Sequence, residues 1–181
     1  MTRFTVQSIV SMISSLKPEL AGPEENSFAG AHVDSRQIAD GNLFVALNGE
    51  RVDGHQYLES AYKAGARIAL VARAQRAHIE PGRPADMSYL YVDDPLQALQ
   101  ELARTYRQSL EHVHIIGITG SNGKTSTKDM LASILSTVAP TYATRGNLNS
   151  DIGLPLSVLS IDTTHTFAVL EMGMNRVGEI A

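Results

Sequence analysis

Cysteine is absent from these 181 residues. That excludes disulfides, thiol catalysis and cysteine-ligated zinc or iron–sulfur centres, and it is compatible with a reducing cytoplasm. No apolar run approaches the ~20 residues of a membrane span. Between Met1 and Leu16, Gln7, Ser8, Ser11, Ser14 and Ser15 interrupt any signal-peptide core. Charge of one sign is also lacking, since the formal net charge is −4 and no block of like charges occurs. Nothing therefore supports nucleic-acid binding or a membrane surface, and small anionic ligands must be held by local sites. The six histidines show no metal-site spacing, so surface or core roles are the default. No Ser-His-Asp order or paired-carboxylate motif, internal repeat or low-complexity segment stands out.

What is present is a dense motif. His114-Ile115-Ile116-Gly117-Ile118 is an apolar run, Thr119-Gly120-Ser121-Asn122-Gly123 is a glycine-punctuated turn, and Lys124-Thr125-Ser126-Thr127 leads into helical periodicity at Met130, Leu131, Ile134, Leu135 and Val138. Strand, loop and helix in that order are the layout of a phosphate-binding loop, where backbone N–H groups and a helix N-terminus face an anion. Gly120, Ser121, Asn122, Gly123, Lys124, Thr125 and Ser126 would surround a triphosphate. Lys124 would reach its outer phosphates, and the Thr125 hydroxyl would hold Mg²⁺. The common spacing asks for glycine at position 118, where this chain has Ile118, so an ordinary glycine-rich strand-to-helix turn is the alternative.

Around the loop, helix and strand patterns alternate, which predicts an α/β fold. Val6, Ile9, Val10, Ile13 and Leu16 predict a helix that stops before Pro18, and Ser27 to Val33 predicts a strand. It leads into Asp34-Ser35-Arg36, which by pattern alone is a local turn with an Asp–Arg ion pair. Leu43 to Leu47 reads as a buried strand, Asn48 to His55 as a polar loop, Tyr57 to Ala64 as a helix ending at Gly65, and Arg67 to Ala72 as a strand. Ala74 to Asp86 reads as loop, Tyr89 to Val92 as a strand, and Asp93-Asp94-Pro95 as the cap of a helix bearing Leu96, Leu99, Leu102, Ala103 and Tyr106. The domain boundary is placed between residues 93 and 94. Beyond the phosphate loop, Thr141 to Thr144 is a short strand, Arg145 to Pro155 is rich in amides and glycines, and Phe167 to Leu170 is a buried strand ending in Glu171. Amides and glycines also make plain turns. An acid at the carboxyl end of a strand in such a sheet is placed to be a second Mg²⁺ contact, although a solvated strand-end charge would look the same.

Together these stretches resemble the Mur ligases, ATP-dependent amide-forming enzymes of peptidoglycan precursor synthesis. Thr119 to Thr125 looks like that family's own phosphate-loop variant. Asp34-Ser35-Arg36, Gly41 to Leu47, Gly49-Glu50-Arg51 and Asp53-Gly54-His55 resemble its nucleotide-sugar-binding domain. Gly146-Asn147-Leu148-Asn149, Asp151 to Leu156, Glu171 to Asn175 and Gly178 to Ala181 are most similar to the member that adds D-alanyl-D-alanine, although Arg176 stands where that member often has His. The resemblance implies a small N-terminal α/β domain, residues 1–93, that binds UDP-N-acetylmuramoyl-tripeptide. It implies that residues 94–181 begin a parallel α/β ATPase domain, in a monomeric cytoplasmic enzyme using ATP and Mg²⁺. Lys124 and Glu171 would serve catalysis, Thr125 and Glu171 would hold the metal, and Ser35, Arg36, Asn147 and Asn149 would orient the substrate. The family continues past this segment into further catalytic parts, which implies little ligase activity for the segment alone. The rivals are a sibling ligase adding the third residue of the peptide, against which the Gly146 to Asn149 run argues, and a non-catalytic nucleotide- or UDP-sugar-binding module.

Overall fold

A computed structural model describes residues 4–49 and 52–173. The chain divides into two compact units, with the division between Thr105 and Tyr106.

In the first unit the strands are β1 (Phe4–Thr5), β2 (Glu19–Ala21), β3 (Ser27–Phe28), β4 (Ala31–His32), β5 (Leu43–Val45), β6 (Ile68–Ala72) and β7 (Ser88–Val92), and the helices are α1 (Val6–Met12), α2 (Leu58–Lys63), α3 (Arg76–Ile79) and the greater part of α4 (Pro95–Ser109), which runs on past the division. The order β2-β7-β6-β5-β4 makes a five-stranded sheet. Its strands β4 to β7 are parallel and β2 closes the β7 edge antiparallel, with Leu70 opposite Leu90 and Glu19 opposite Tyr91. Phe44, Ala69, Val71, Tyr89 and Tyr91 pack in one cluster with Leu58 and Ala61 of α2. The alternate residues Leu43, Ile68, Leu70 and Leu90 are buried too. Burial on both faces is what continuous apolar runs in parallel strands specify. The β1–β3 pair is a separate antiparallel ladder in which the Phe4 and Phe28 rings stack at 4.9 Å between centroids.

Helix α4 starts where the sequence says. The Asp94 carboxylate accepts from the Leu96 and Gln97 amides, and Pro95 occupies the first helical position, where a missing N–H costs nothing. Three expectations need correction. The first helix ends at Met12, and a separate 3₁₀ turn covers Ser14–Leu16. The strand from Ser27 to Val33 is two short strands, β3 and β4, with the chain turning at Gly30 between them. The segment Ala74 to Asp86 is largely helical, because Ile79 is buried and Arg76 reaches Glu80 one turn on, which holds α3 between two 3₁₀ turns despite its prolines.

The second unit contains β8 (His114–Ile118), α5 (Lys124–Ser136), β9 (Thr141–Ala143), α6 (Gly153–Leu159) and β10 (Phe167–Glu171). The order β8-β10-β9 makes a fully parallel three-stranded sheet, with Glu171 opposite Ile118 and Val169 opposite Ala143. All three strands therefore deliver their carboxyl ends to one edge, where open α/β sheets bind ligands. Helix α5 forms as its periodicity predicts; Met130 and Ile134 on it are exposed, as is Val138 just after it. Glu50, Arg51 and the stretch from Met174, including Arg176 and the helix expected there, lie outside the described residues.

Candidate nucleotide-binding site

The loop after β8 turns through Gly120 at φ +144° and Gly123 at φ +78°, and Gly123 caps α5. Side-chain-bearing residues rarely adopt those angles, so glycine at both positions lets five residues reverse the chain and present Lys124 at the first helical position. Gly117 lies inside β8 beside the Met172 side chain rather than in the loop. Lys124 Nζ donates to the Gly120 carbonyl at 2.7 Å, so the lysine lies along the loop. Ser121 and Asn122 are exposed on its outer side, as is Ser126 in the first turn of α5.

Glu171 is the convergence point. The Thr125 hydroxyl donates to Glu171 Oε2 at 2.9 Å, and Asn149 Nδ2 donates to Oε1 at 2.8 Å. The Glu171 amide donates to Thr144 Oγ1 at 3.0 Å. At 4% exposure Glu171 is no solvated strand-end charge. A carboxylate this enclosed needs its hydrogen bonds, and here both oxygens have a protein donor while each retains lone-pair capacity. The loop carrying Asn147 and Asn149 folds back on the same edge. Asn149 N–H donates to the Asn147 carbonyl, and the Asn149 carbonyl accepts from Gly173. The loop then crosses the start of α6 so closely that a Cβ at Gly153 would stand 2.5 Å from Leu148 Cα. Ser157 Oγ holds the Leu148 carbonyl from below.

Sequence reasoning missed two residues. Lys128, 4% exposed, donates from Nζ to the Thr144 carbonyl at 2.9 Å. Thr144, the residue after β9, is itself buried and accepts from the Glu171 amide. The available signal was the spacing of Lys128 from Thr125, three residues along one helix face; the partner across 16 residues has no local signature.

In the first unit, Asp34-Ser35-Arg36 forms the local turn its pattern suggests. The Asp34 carboxylate accepts from the Arg36 amide and, through both oxygens, from its guanidinium. These hydrogen bonds and the neighbouring positive charge hold the Asp34 carboxyl well below the usual carboxylate range. Arg36 remains 87% exposed and Ser35 half-buried at the carboxyl end of β4. At the end of β6, the Ala72 amide donates to His55 Nε2 at 2.9 Å, which leaves Nδ1 to carry the hydrogen shared with Asp53 Oδ1 at 2.6 Å. His55 is thus a core staple fastening the polar loop to the sheet. A recess of about 700 Å³ beside Lys17, Arg73 and Asp93 includes none of the predicted site residues. Its Arg73 is already engaged by Glu19, Asp93 and the Lys17 carbonyl. Among the described residues no cluster of three or more His, Asp or Glu side chains could cage a metal alone, and no helix is long and apolar enough to cross a membrane.

A glycine loop between strand and helix, a lysine opening that helix and a strand-end carboxylate on the following hydroxyl define a phosphate-loop protein of the parallel α/β class. A family model described as "Mur ligase middle domain" matches residues 118–181, and one described as "Mur ligase family, catalytic domain" matches residues 28–107. The chain belongs to the Mur ligase family. It is 43% identical, over 99% of its length, to UDP-N-acetylmuramoyl-tripeptide–D-alanyl-D-alanine ligase of Bacillus subtilis, and 42% identical, over 82% of its length, to the Escherichia coli protein of the same name. It spans 38% and 31% of those relatives, respectively. Among solved structures it matches the MurF of Acinetobacter baumannii, with a TM-score of 0.81 and 34% identity over 99% of this chain and 37% of that one. It also matches the MurF ligase of Thermotoga maritima in complex with ADP, with a TM-score of 0.66 and 31% identity over 84% of this chain and 34% of that one.

Proposed function

We propose that this chain supplies the UDP-sugar-peptide-binding part, residues 1–93, and the opening of the nucleotide-binding part, residues 94–181, of an ATP-dependent ligase. The ligase joins D-alanyl-D-alanine to the carboxyl end of UDP-N-acetylmuramoyl-tripeptide in peptidoglycan precursor synthesis, as a cytoplasmic monomer. Condensing a carboxylate with an amine in water is uphill. Transfer of the ATP γ-phosphate to the tripeptide carboxylate gives an acyl phosphate, and the dipeptide amine then displaces phosphate. Such chemistry needs positioning and charge neutralisation more than a protein nucleophile.

The loop amides from Gly120 to Ser126 bind the phosphates, and Lys124 moves from the Gly120 carbonyl to the transferring group. Ser35, Arg36, Asn147 and Asn149 orient the UDP-sugar peptide. Asn149 contributes to the same loop while holding Glu171. A hydroxyl and an enclosed carboxylate are hard oxygen donors that fit Mg²⁺; Thr125 and Glu171 would hold the ion, which when bound neutralises phosphate charge. The observation that carries this reading is the 2.9 Å contact between Thr125 and Glu171 at the mouth of the glycine loop.

The test is phosphate release and product mass with the full-length protein, ATP, UDP-N-acetylmuramoyl-tripeptide and D-alanyl-D-alanine. Product formation only from UDP-N-acetylmuramoyl-dipeptide and a single amino acid would assign the sibling activity instead. Calorimetric binding of the UDP-sugar peptide with no turnover under any acceptor would leave a binding module.

A further inference from the structure

Helix α5 has an unusual distribution of surfaces. Of its apolar stripe, Met130 and Ile134 are exposed and Leu131 and Leu135 half-buried, while among its described residues Lys128 alone is buried. An ammonium is the side chain least suited to burial for packing alone. What Lys128 touches is therefore informative: the Thr144 carbonyl at 2.9 Å, and Asp129 Oδ1 at 3.1 Å, the latter on a side chain 65% exposed.

Thr144 is held from three sides. Its amide donates to Val169, its hydroxyl accepts from Glu171 N–H, and its carbonyl accepts from Lys128. It is also the last residue before the loop that brings Asn149 to the Glu171 carboxylate. Thr125 and Lys128, three apart on α5, thus grip the carboxyl ends of β10 and β9 at once: Thr125 takes Glu171 directly, and Lys128 takes it through Thr144. The contacts close into a ring from α5 to Thr144, Glu171 and back to α5, with Asn149 joining the loop to it.

We propose that Lys128 is a positioning residue for the nucleotide–metal site, fixing Thr144 so that the Glu171 carboxylate and the Asn149 amide are presented in one arrangement. This role rests on the nucleotide–metal reading given above. Lys128 touches no reacting atom; it acts by holding the residue that orients the metal-facing carboxylate, a shell of contacts whose loss typically weakens metal binding about 10–100-fold.

The experiment uses the full chain with Lys128→Met, which keeps the length and removes the charge, and Lys128→Arg, which keeps a donor. Two readouts are taken: amide hydrogen exchange without ligand, and ATP affinity with Mg²⁺ or with chelator. In Lys128→Met, the Glu171 and Gly173 amides are expected to exchange at least about tenfold faster while Ala168 and Val169 hold their protection. The gain in ATP affinity conferred by Mg²⁺ is expected to shrink about tenfold, with chelator values near wild type and partial recovery in Lys128→Arg. Uniform acceleration across the sheet, or equal loss of affinity with and without Mg²⁺, would make Lys128 merely structural and overturn the proposal. A wild-type chain with no Mg²⁺-dependent ATP binding would instead remove the nucleotide site, and this role with it. An unaltered Mg²⁺ gain in Lys128→Met would remove only the role of Lys128.

Discussion

In the first unit every residue of β6 and β7 is buried, yet the candidate substrate contact Arg36 is 87% exposed. In the second unit no residue of β8 is fully buried and α5 exposes Met130 and Ile134, yet Glu171, the centre of the candidate site, is 4% exposed. One unit has a thick apolar core with its candidate recognition groups on surface turns. The other, as far as this segment carries it, encloses its polar groups and ties them to one another by hydrogen bonds. Stability and chemistry are therefore carried by different interactions in the two halves, and substitutions should separate them.

The largest effect is expected at the first unit's core. Leu90 is completely buried, so Leu90→Ala should cost about 2–5 kcal/mol in chemical denaturation. Ile134→Ala on α5, where Ile134 is 65% exposed, should stay within about 0.5 kcal/mol. Equal losses would erase the contrast. Next, Lys124→Ala in the full-length protein should lower phosphate release by roughly 10²–10³-fold while leaving the melting temperature unchanged, because the Lys124 contact with Gly120 is solvent-facing. A parallel fall in melting temperature would show that the loop lysine is structural.

His55→Ala leaves the Ala72 amide and the Asp53 carboxylate without the ring between them, and should cost about 1–3 kcal/mol, visible as faster exchange at Ala72. A smaller shift is expected from pH. Burial, with the Glu80 hydrogen bond and charge, pushes the Tyr91 hydroxyl above its ordinary range, while the same hydrogen bond draws Glu80 down. The raised Tyr91 contributes stability that is complete below about pH 10 and is lost as pH rises beyond it. The lowered Glu80 contributes stability present above about pH 4.3 and lost as pH falls. Tyr91→Phe should flatten both limbs in urea titrations, and an unchanged profile would refute the assignment. Least of all, Arg36→Ala should leave the melting temperature where it is, since its pair with Asp34 is open to solvent, while weakening UDP-sugar-peptide binding in calorimetry.

The parts legible in the sequence are those whose structure is local. The glycine loop, Lys124 and Thr125 sit on one strand–turn–helix, and Asp94-Pro95 caps α4 within four residues. Glu171 could be placed because strand ends in parallel sheets share an edge. What escaped depends on contacts between distant segments. Lys128 and Thr144 meet across 16 residues, and His55 reaches Ala72 across 17. The Asn149 side chain holds Glu171 from 22 residues away, a contact with no local signature. The α5 stripe shows where such a reading stops: Met130 and Ile134 are exposed and Leu131 and Leu135 half-buried, because 3.6-residue periodicity reports an apolar face and says nothing of whether that face is covered.

The crossing of Leu148 over Gly153 has its own consequence for anyone recombining these enzymes. With no room for even a methyl group between the two backbones, residues 145 to 153 behave as one knuckle rather than a pliable tether. Transplanting the asparagine run into a relative without the glycine beneath it would splay the knuckle open. The structural unit that carries the asparagine run therefore extends into the first turn of α6.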